Sequence, residues 1–200
     1  MSIQALMMDV DGVIVRGRPS DRRPWHAELE TDLGLSYDRL TDCFFKPYWS
    51  EIVLGRVALR ERLAPALARI APHLTVNQVV QYWFAMDGWV DAALLAELNK
   101  LRKKGLSVHL ATNQERERAA YLWDCVGLSE HFDGFHFSAD LGARKPDASF
   151  FEAIVERTGL PPHEIMLVDD TVANIAGAQK AGWRTLLWTN AAQLVAAIQR

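Results

Sequence analysis

Asp9-Val10-Asp11-Gly12-Val13 places two carboxylates two residues apart, directly after the apolar run Ile3 to Met8. Side chains alternate with period two along an extended chain, so both acids are expected to face one cleft. The competing reading is an ordinary Asp- and Gly-rich turn closing a strand. A second acidic pair, Asp169-Asp170, follows another apolar run, Ile165-Met166-Leu167-Val168. By itself that pair is equally a helix N-cap. Thr112-Asn113 is also a common capping pair, and Lys145, in Gly142-Ala143-Arg144-Lys145-Pro146-Asp147, reads alone as a solvated lysine ahead of a helix.

The elements that would position these residues decide between the readings. Strand-like segments run from Ile3 to Met8, Leu106 to Ala111, Glu164 to Val168 and Thr185 to Trp188, with a weaker one from Gly134 to Phe137. Between them helical patterns cover Asp91 to Lys104, Glu115 to Val126, Ala148 to Thr158, Val172 to Ala181 and Ala191 to Gln199. Alternation of this kind predicts an α/β fold, an open parallel Rossmann-like sheet flanked by helices on both faces. All four candidate segments then lie at strand carboxyl ends or in loops ahead of helices, and those ends converge on one crevice.

Convergence of four carboxylates has a cost. Two unit charges ~4 Å apart repel by about 4 kcal/mol at an effective dielectric of 20. A cation must therefore be present, and an all-oxygen ligand set selects Mg2+, which characteristically takes one or two carboxylates, waters and a substrate phosphate.

Residues 16–87 break the alternation. Only helical patterns occur there, near Pro24 to Leu33, Tyr37 to Phe45, Leu59 to Ile70 and Val76 to Met86. The expected organisation is a body formed by 1–15 and 88–200, with 16–87 as a small all-helical cap inserted after the first strand and docked on the body. With 200 residues, half of them hydrophobic, the chain can build one sizeable core plus an appendage. A net charge of −3 offers little for neutralising nucleic-acid phosphates, so no nucleic-acid partner is expected. Cys43 and Cys125 are far apart and lack zinc-type spacing, which fits a reducing cytoplasm. The apolar start, interrupted by Asp9 and Asp11, is too short for a span of roughly 20 residues, so no membrane partner is expected. GxxxxGK[ST], GxSxG and HExxH signatures are absent. Nothing in the sequence speaks to oligomeric state.

In order and spacing, DVDGV, ATN, RKPD and LVDDTVAN resemble the four motifs of the haloacid dehalogenase superfamily, in the subfamily with a helical cap after the first motif. The resemblance implies a phosphatase-like hydrolase acting on a small phosphate monoester. By it, Asp9 is the nucleophile that forms an aspartyl-phosphate, and Asp11 is the acid and base for leaving group and water. Thr112, Asn113 and Lys145 bind the transferring phosphoryl group. Mg2+ is held by Asp170, the Asp9 carboxylate and the Asp11 backbone carbonyl, with Asp169 in support and the inner-sphere member of the pair left open. Asn174 either faces the site or packs the helix start.

Asp11 bears on the reaction type, because an alkoxide leaving group needs a proton and a halide does not. Family dehalogenases lack this second acid. The alternatives are a phosphomutase, a haloacid dehalogenase on the same fold, or a non-catalytic module that binds a phosphorylated metabolite. In the cap, the run Arg16, Arg18, Arg22 and Arg23 reads as a solvated surface, and Tyr48, Trp49 and Trp83 as cap core. A sugar phosphate is the mild preference among substrates, on family analogy.

Overall fold

The structure, a computed structural model, describes residues 3–198. The expected helix end at Gln199 lies outside them.

Five strands, β1 (Ala5–Met8), β2 (Ser107–Thr112), β3 (Gly134–Phe137), β4 (Ile165–Asp169) and β5 (Arg184–Leu187), form one parallel sheet in the order β3-β2-β1-β4-β5. The α/β, open-sheet expectation holds, with strand ends within two residues of those read from the sequence. β1 is central because it is apolar on both sides. Leu6 and Met8 join one cluster with Leu94, Leu98, Leu122 and Leu194, whereas Ala5 and Met7 join another with Phe150, Phe151, Ile154 and Trp183. Both faces of the sheet are thus covered, as a parallel sheet requires.

Between β1 and β2 lies a helical insertion. It contains α1 (Leu29–Leu33), α2 (Tyr37–Leu40), α3 (Lys46–Val53), α4 (Leu59–Ile70) and α5 (Val76–Met86), followed by α6 (Ala92–Lys103), which packs on the sheet. The insertion has its own apolar cluster, including Leu29, Phe44, Leu63, Val80 and Trp83. Trp83 is buried there and Tyr48 and Trp49 pack against the cluster, as the cap-core reading expected.

The helix expected to stop at Phe45 instead runs on. A widened turn at Thr41–Phe45, where the Lys46 N–H reaches back to the Thr41 carbonyl, leads into α3 through Pro47. Proline supplies no N–H and its ring clashes with a regular ladder, so it reads as a stop, but a π-type turn just before it lets the helix continue. A second such turn, Tyr121–Cys125, extends α7 (Arg116–Ala120). A short helix not anticipated, α8 (Ser138–Leu141), follows β3, and the body is completed by α9 (Ala148–Thr158), α10 (Val172–Lys180) and α11 (Ala191–Ile198).

The insertion joins the body through two chains that pair with each other. Val15 bridges Val90 antiparallel, the Arg16 N–H donates to Trp89 O at 2.9 Å, and the Asp91 N–H donates to Ile14 O at 3.1 Å. Away from these links, Ser138 Oγ donates to Val53 O at 2.6 Å, and Arg60 pairs with Glu117 at 2.6 Å.

Candidate active site

Strand register assembles the site. Met8 pairs with Leu110 on one side and with Val168 on the other, so the next residues, Asp9, Ala111 and Asp169, stand in one row at the carboxyl edge. The ladder persists one step beyond β1, since the Asp9 N–H donates to Val168 O at 2.9 Å. The chain then turns sharply, with the N–H groups of Val13, Ile14 and Val15 all reaching Val10 O. It is this turn, not the pleat of an extended strand, that brings Asp11 to the cleft beside Asp9.

Lys145 arrives from the loop between α8 and α9 and spends its three N–H donors on that row. Its Nζ lies 2.6 Å from Asp169 Oδ2, 2.7 Å from Ala111 O and 3.0 Å from Asp9 Oδ1. The ammonium is fully buried. Burial alone would lower its pKa, but Asp9 and then Asp169 outweigh that and raise it. The reading as a solvated lysine is therefore corrected, because a triply bonded cation inside the molecule is one whose charge two acids hold in place. Asn113 fixes the loop. Its side-chain amide accepts from the Lys145 N–H at 2.8 Å and donates to Lys145 O at 2.9 Å.

Asp9 is almost fully buried, and its Oδ1 accepts from the Val10 N–H at 2.8 Å. Its carboxyl is raised to about 7 in all, by burial first, with Lys145 pulling the other way and Asp169 pushing it up. Asp169 is completely enclosed. Besides Lys145 it takes the Thr171 N–H at 2.8 Å and Asn174 Nδ2 at 3.1 Å to each oxygen. Asn174 thus does both things weighed for it, clamping Asp169 and lining the cleft. Asp170 is the exposed member of the pair, and its pKa is raised by partial burial and then by Asp169.

Oxygen atoms of Asp9, Asp169 and Asp170 all lie within 4.8 Å of one another, a set able to hold a cation. The donor chemistry suits a hard divalent ion. Gly12 supports the same assignment, because a Cβ there would stand 2.0 Å from Asp170 Oδ2, and its φ of +82° already disfavours other residues. Any larger residue there would push the Asp170 carboxylate aside. Gly12→Ala is expected to weaken Mg2+ binding about 10–100-fold, the range for disturbed supports of a metal ligand. Calorimetric titration checks this, and an unchanged affinity would show that Asp170 is not held for an ion.

The expectation of four converging carboxylates is met by three. The Asp11 side chain is half exposed and turned toward Gln114 Nε2, which donates to its Oδ2, and toward Arg118 Nη2, 3.4 Å from its Oδ1. Those two donors draw it aside, and its charge is the smallest of the contributions that raise the Asp9 carboxyl. Part of the neutralisation assigned to a metal is likewise supplied by Lys145. Thr112, the buried last residue of β2, and Asn113 border the cleft with Asp9, Asp11, Gly12, Lys145, Asp170, Thr171 and Asn174, around a cavity of about 400 Å³. The arginines of 16–23 and the aromatic residues of the insertion are not among its walls.

Gln114, Arg118 and Thr171 were missed by sequence reasoning. Gln114 adjoins Thr112-Asn113, and that adjacency was a usable signal; Arg118 sits in Gln114-Glu115-Arg116-Glu117-Arg118, which reads as any solvated helix face.

A cleft lined by acids, a buried lysine and a buried threonine at the carboxyl edge of a doubly covered parallel sheet defines a class of α/β enzymes that handle anionic substrates. The chain belongs to the haloacid dehalogenase-like hydrolase family, whose model matches residues 3–182. It is similar to a phosphatase of Mycobacterium tuberculosis, 30% identical over 94% of this chain and 88% of the relative. It is also similar to a phosphorylated carbohydrates phosphatase of Thermotoga maritima, 22% identical over 90% of this chain and 82% of that protein. Another curated relative, 32% identical, is matched over only 47% of its own length. Among solved structures, the fold resembles a family enzyme of Bacteroides thetaiotaomicron in complex with magnesium and inorganic phosphate, at a TM-score of 0.77 and 19% identity, covering 94% of this chain and 95% of the other.

Proposed function

We propose that this protein is a Mg2+-dependent phosphohydrolase acting on a small phosphate monoester through an aspartyl-phosphate on Asp9. The observation that carries the reading is the row of Asp9, Lys145 and Asp169 at the strand ends, with Asp170 and Asp11 beside it. Family membership and the two phosphatase relatives support it. In this reading 16–87 is the cap, and 1–15 with 88–200 is the catalytic body.

Each residue then has a task set by its position. Asp170 and the Asp9 carboxylate, with the Asp11 backbone carbonyl, would hold Mg2+, which supplies neutralisation of the phosphoryl oxygens and favours the ionised form of Asp9. Asp169 acts one layer out, because its oxygens are already taken by Lys145, Asn174 and the Thr171 N–H. Asp9 attacks phosphorus, which replaces one difficult displacement by two easier ones. Lys145, 3.0 Å from Asp9, offsets the repulsion between an anionic ester and a carboxylate. Thr112 and the backbone at Asn113 bind phosphoryl oxygens, while the Asn113 side chain steadies Lys145.

Asp11 protonates the departing oxygen and then takes a proton from the attacking water. This acid distinguishes hydrolysis of alkyl esters from dehalogenation, where the leaving group needs none. A sugar phosphate is the preferred substrate class, in line with the Thermotoga relative's name. The two cysteines carry no disulfide, and no helix of the described residues is long and apolar enough to cross a membrane, so a reducing cytoplasm is the compartment we propose. The formal charge of −3 argues against a nucleic-acid partner.

A panel of phosphate monoesters and 2-haloacids, assayed with Mg2+ and again with chelator, tests the assignment. Phosphate release that stops on chelation is expected, and Asp11→Asn should slow alkyl ester hydrolysis by about 10²–10⁴-fold. Halide release, or an isomerised sugar phosphate in place of free phosphate, would transfer the protein to a dehalogenase or a phosphomutase. Tight ligand binding without turnover would make it a binding module.

A further inference from the structure

Arg118 is a buried cation that the reaction as described does not use. Its side chain is 2% exposed, although it lies in a sequence that reads as a solvated helix. It stands on α7, which follows the Thr112 strand, and its backbone is pinned at the helix start, where the buried Glu115 carboxylate accepts the N–H groups of Glu117 and Arg118. The guanidinium therefore has a fixed origin on the body.

Its partners come from two other places. Nη2 donates to Asp87 O at 2.8 Å and lies 3.1 Å from Asp87 Oδ2, while the guanidinium carbon sits 5.7 Å from the centre of the Phe84 ring. Phe84 belongs to α5 and Asp87 caps its end, just before the return segment at Trp89–Asp91 that pairs with Ile14–Arg16. The same Nη2 is 3.4 Å from Asp11 Oδ1, and Gln114 holds the other oxygen. One immobile nitrogen thus bridges the exit of the insertion and the second acid of the first motif.

We propose that Arg118 is a positioning residue for proton transfer: anchored through Asp87 on the link between insertion and body, it sets the orientation of the Asp11 carboxyl. This rests on the reading of Asp11 as the acid and base of ester hydrolysis. Both acceptors, on separate segments, are met by this one nitrogen at the end of a long side chain, so an apolar residue cannot serve either and a lysine ammonium can take over only part of the task. The insertion's return link and Asp11 then move as a unit, since shifting Asp87 shifts the group that orients the acid.

The test compares kcat/KM, which reports steps up to loss of the leaving group, for an alkyl phosphate and for p-nitrophenyl phosphate, whose leaving group departs with little need of a proton. With Mg2+ present, Arg118→Met should lose about 10–100-fold on the alkyl ester, the scale of a misplaced catalytic group, and less than about 3-fold on the aryl ester. Arg118→Lys should recover part of the alkyl rate, and Asp87→Asn should shift the ratio in the same direction by a smaller factor. Parallel losses on both esters, or no loss on either, would overturn the inference and leave Arg118 as a packing residue. If Arg118→Met fails to fold, Asp87→Asn decides alone. Asp11→Asn serves as control. Should it lack alkyl selectivity, the acid role of Asp11 falls and this inference with it; should it show selectivity while the Arg118 and Asp87 variants do not, only the inference fails.

Discussion

Asp9→Asn is expected to lower phosphate release by at least about 10⁴-fold while leaving the fold intact, the scale seen when a covalent nucleophile is removed. The amide matches the carboxylate in shape and can still accept from the Val10 N–H and from Lys145, so packing at this buried position is preserved. What it lacks is the charge that, in the proposed mechanism, attacks phosphorus, and one of the proposed ligands for the ion. Hydrolysis equal to the parent's would remove the nucleophile assignment outright.

The same carboxyl fixes a pH dependence. Its pKa in the folded, ion-free protein is raised from 3.8 to about 7, first by burial. Between those values the folded state holds a proton that the unfolded chain has released, so ion-free stability from this group is greatest at low pH and is lost as pH rises toward 7. Mg2+ competes with that proton, and its affinity should fall by about tenfold for each pH unit below 7 and level off above it, readable by calorimetric titration. A flat affinity from pH 5 to 8 would exclude Asp9 as a ligand that must first lose a proton.

Lys145→Met carries the second large effect, this time on stability. The ammonium is the shared partner of two buried acids, and removing it leaves Asp9 and Asp169 facing each other without compensation. Breaking one side of a buried ion pair costs about 3–5 kcal/mol. For a chain of this size that lowers the melting temperature by roughly 6–20 °C. The loss should grow as pH rises above 7, because without Lys145 the Asp9 carboxyl is pushed higher still and must either keep its proton or carry an unpaired buried charge, and Mg2+ should restore part of it by supplying positive charge to the same carboxylates. A melting temperature within 2 °C of the parent at pH 8 without Mg2+, a threshold set at about the smallest shift expected from 1 kcal/mol, would mean that the acids do not depend on this cation. Activity should fall as well, because the ester would then approach an unscreened acid.

The residues of these two predictions were legible before the fold was known, yet their physical relation was not. Asp9, Asp11, Thr112, Lys145, Asp169 and Asp170 could be picked out because each ends an apolar segment or precedes a helix, and a parallel sheet sends all such ends to one edge. Helix α9 and strand β3 were read with the bounds they have, since apolar periodicity and turn residues mark both. The helix through Pro47 was not, because proline signals a stop unless a widened turn precedes it, and such turns leave no periodic trace in sequence.

What the chain determined by itself is the alternation of strand and helix, the helical insertion after β1, and the residue types at the strand ends, all consequences of local periodicity and composition. Only the tertiary structure decided who holds whom. Lys145 became a buried cation because strand register aligned Asp9, Ala111 and Asp169 into three acceptors for its three donors. Asp11 borders the cleft but stands outside the acidic cluster because two donors from the loop and helix after β2 draw its carboxylate aside. Arg118, one more charge on a polar helix in the sequence, is enclosed where the insertion meets the body. Burial and partnership are properties of segments distant in sequence, and pair electrostatics at 3 Å depend on geometry that no local pattern encodes.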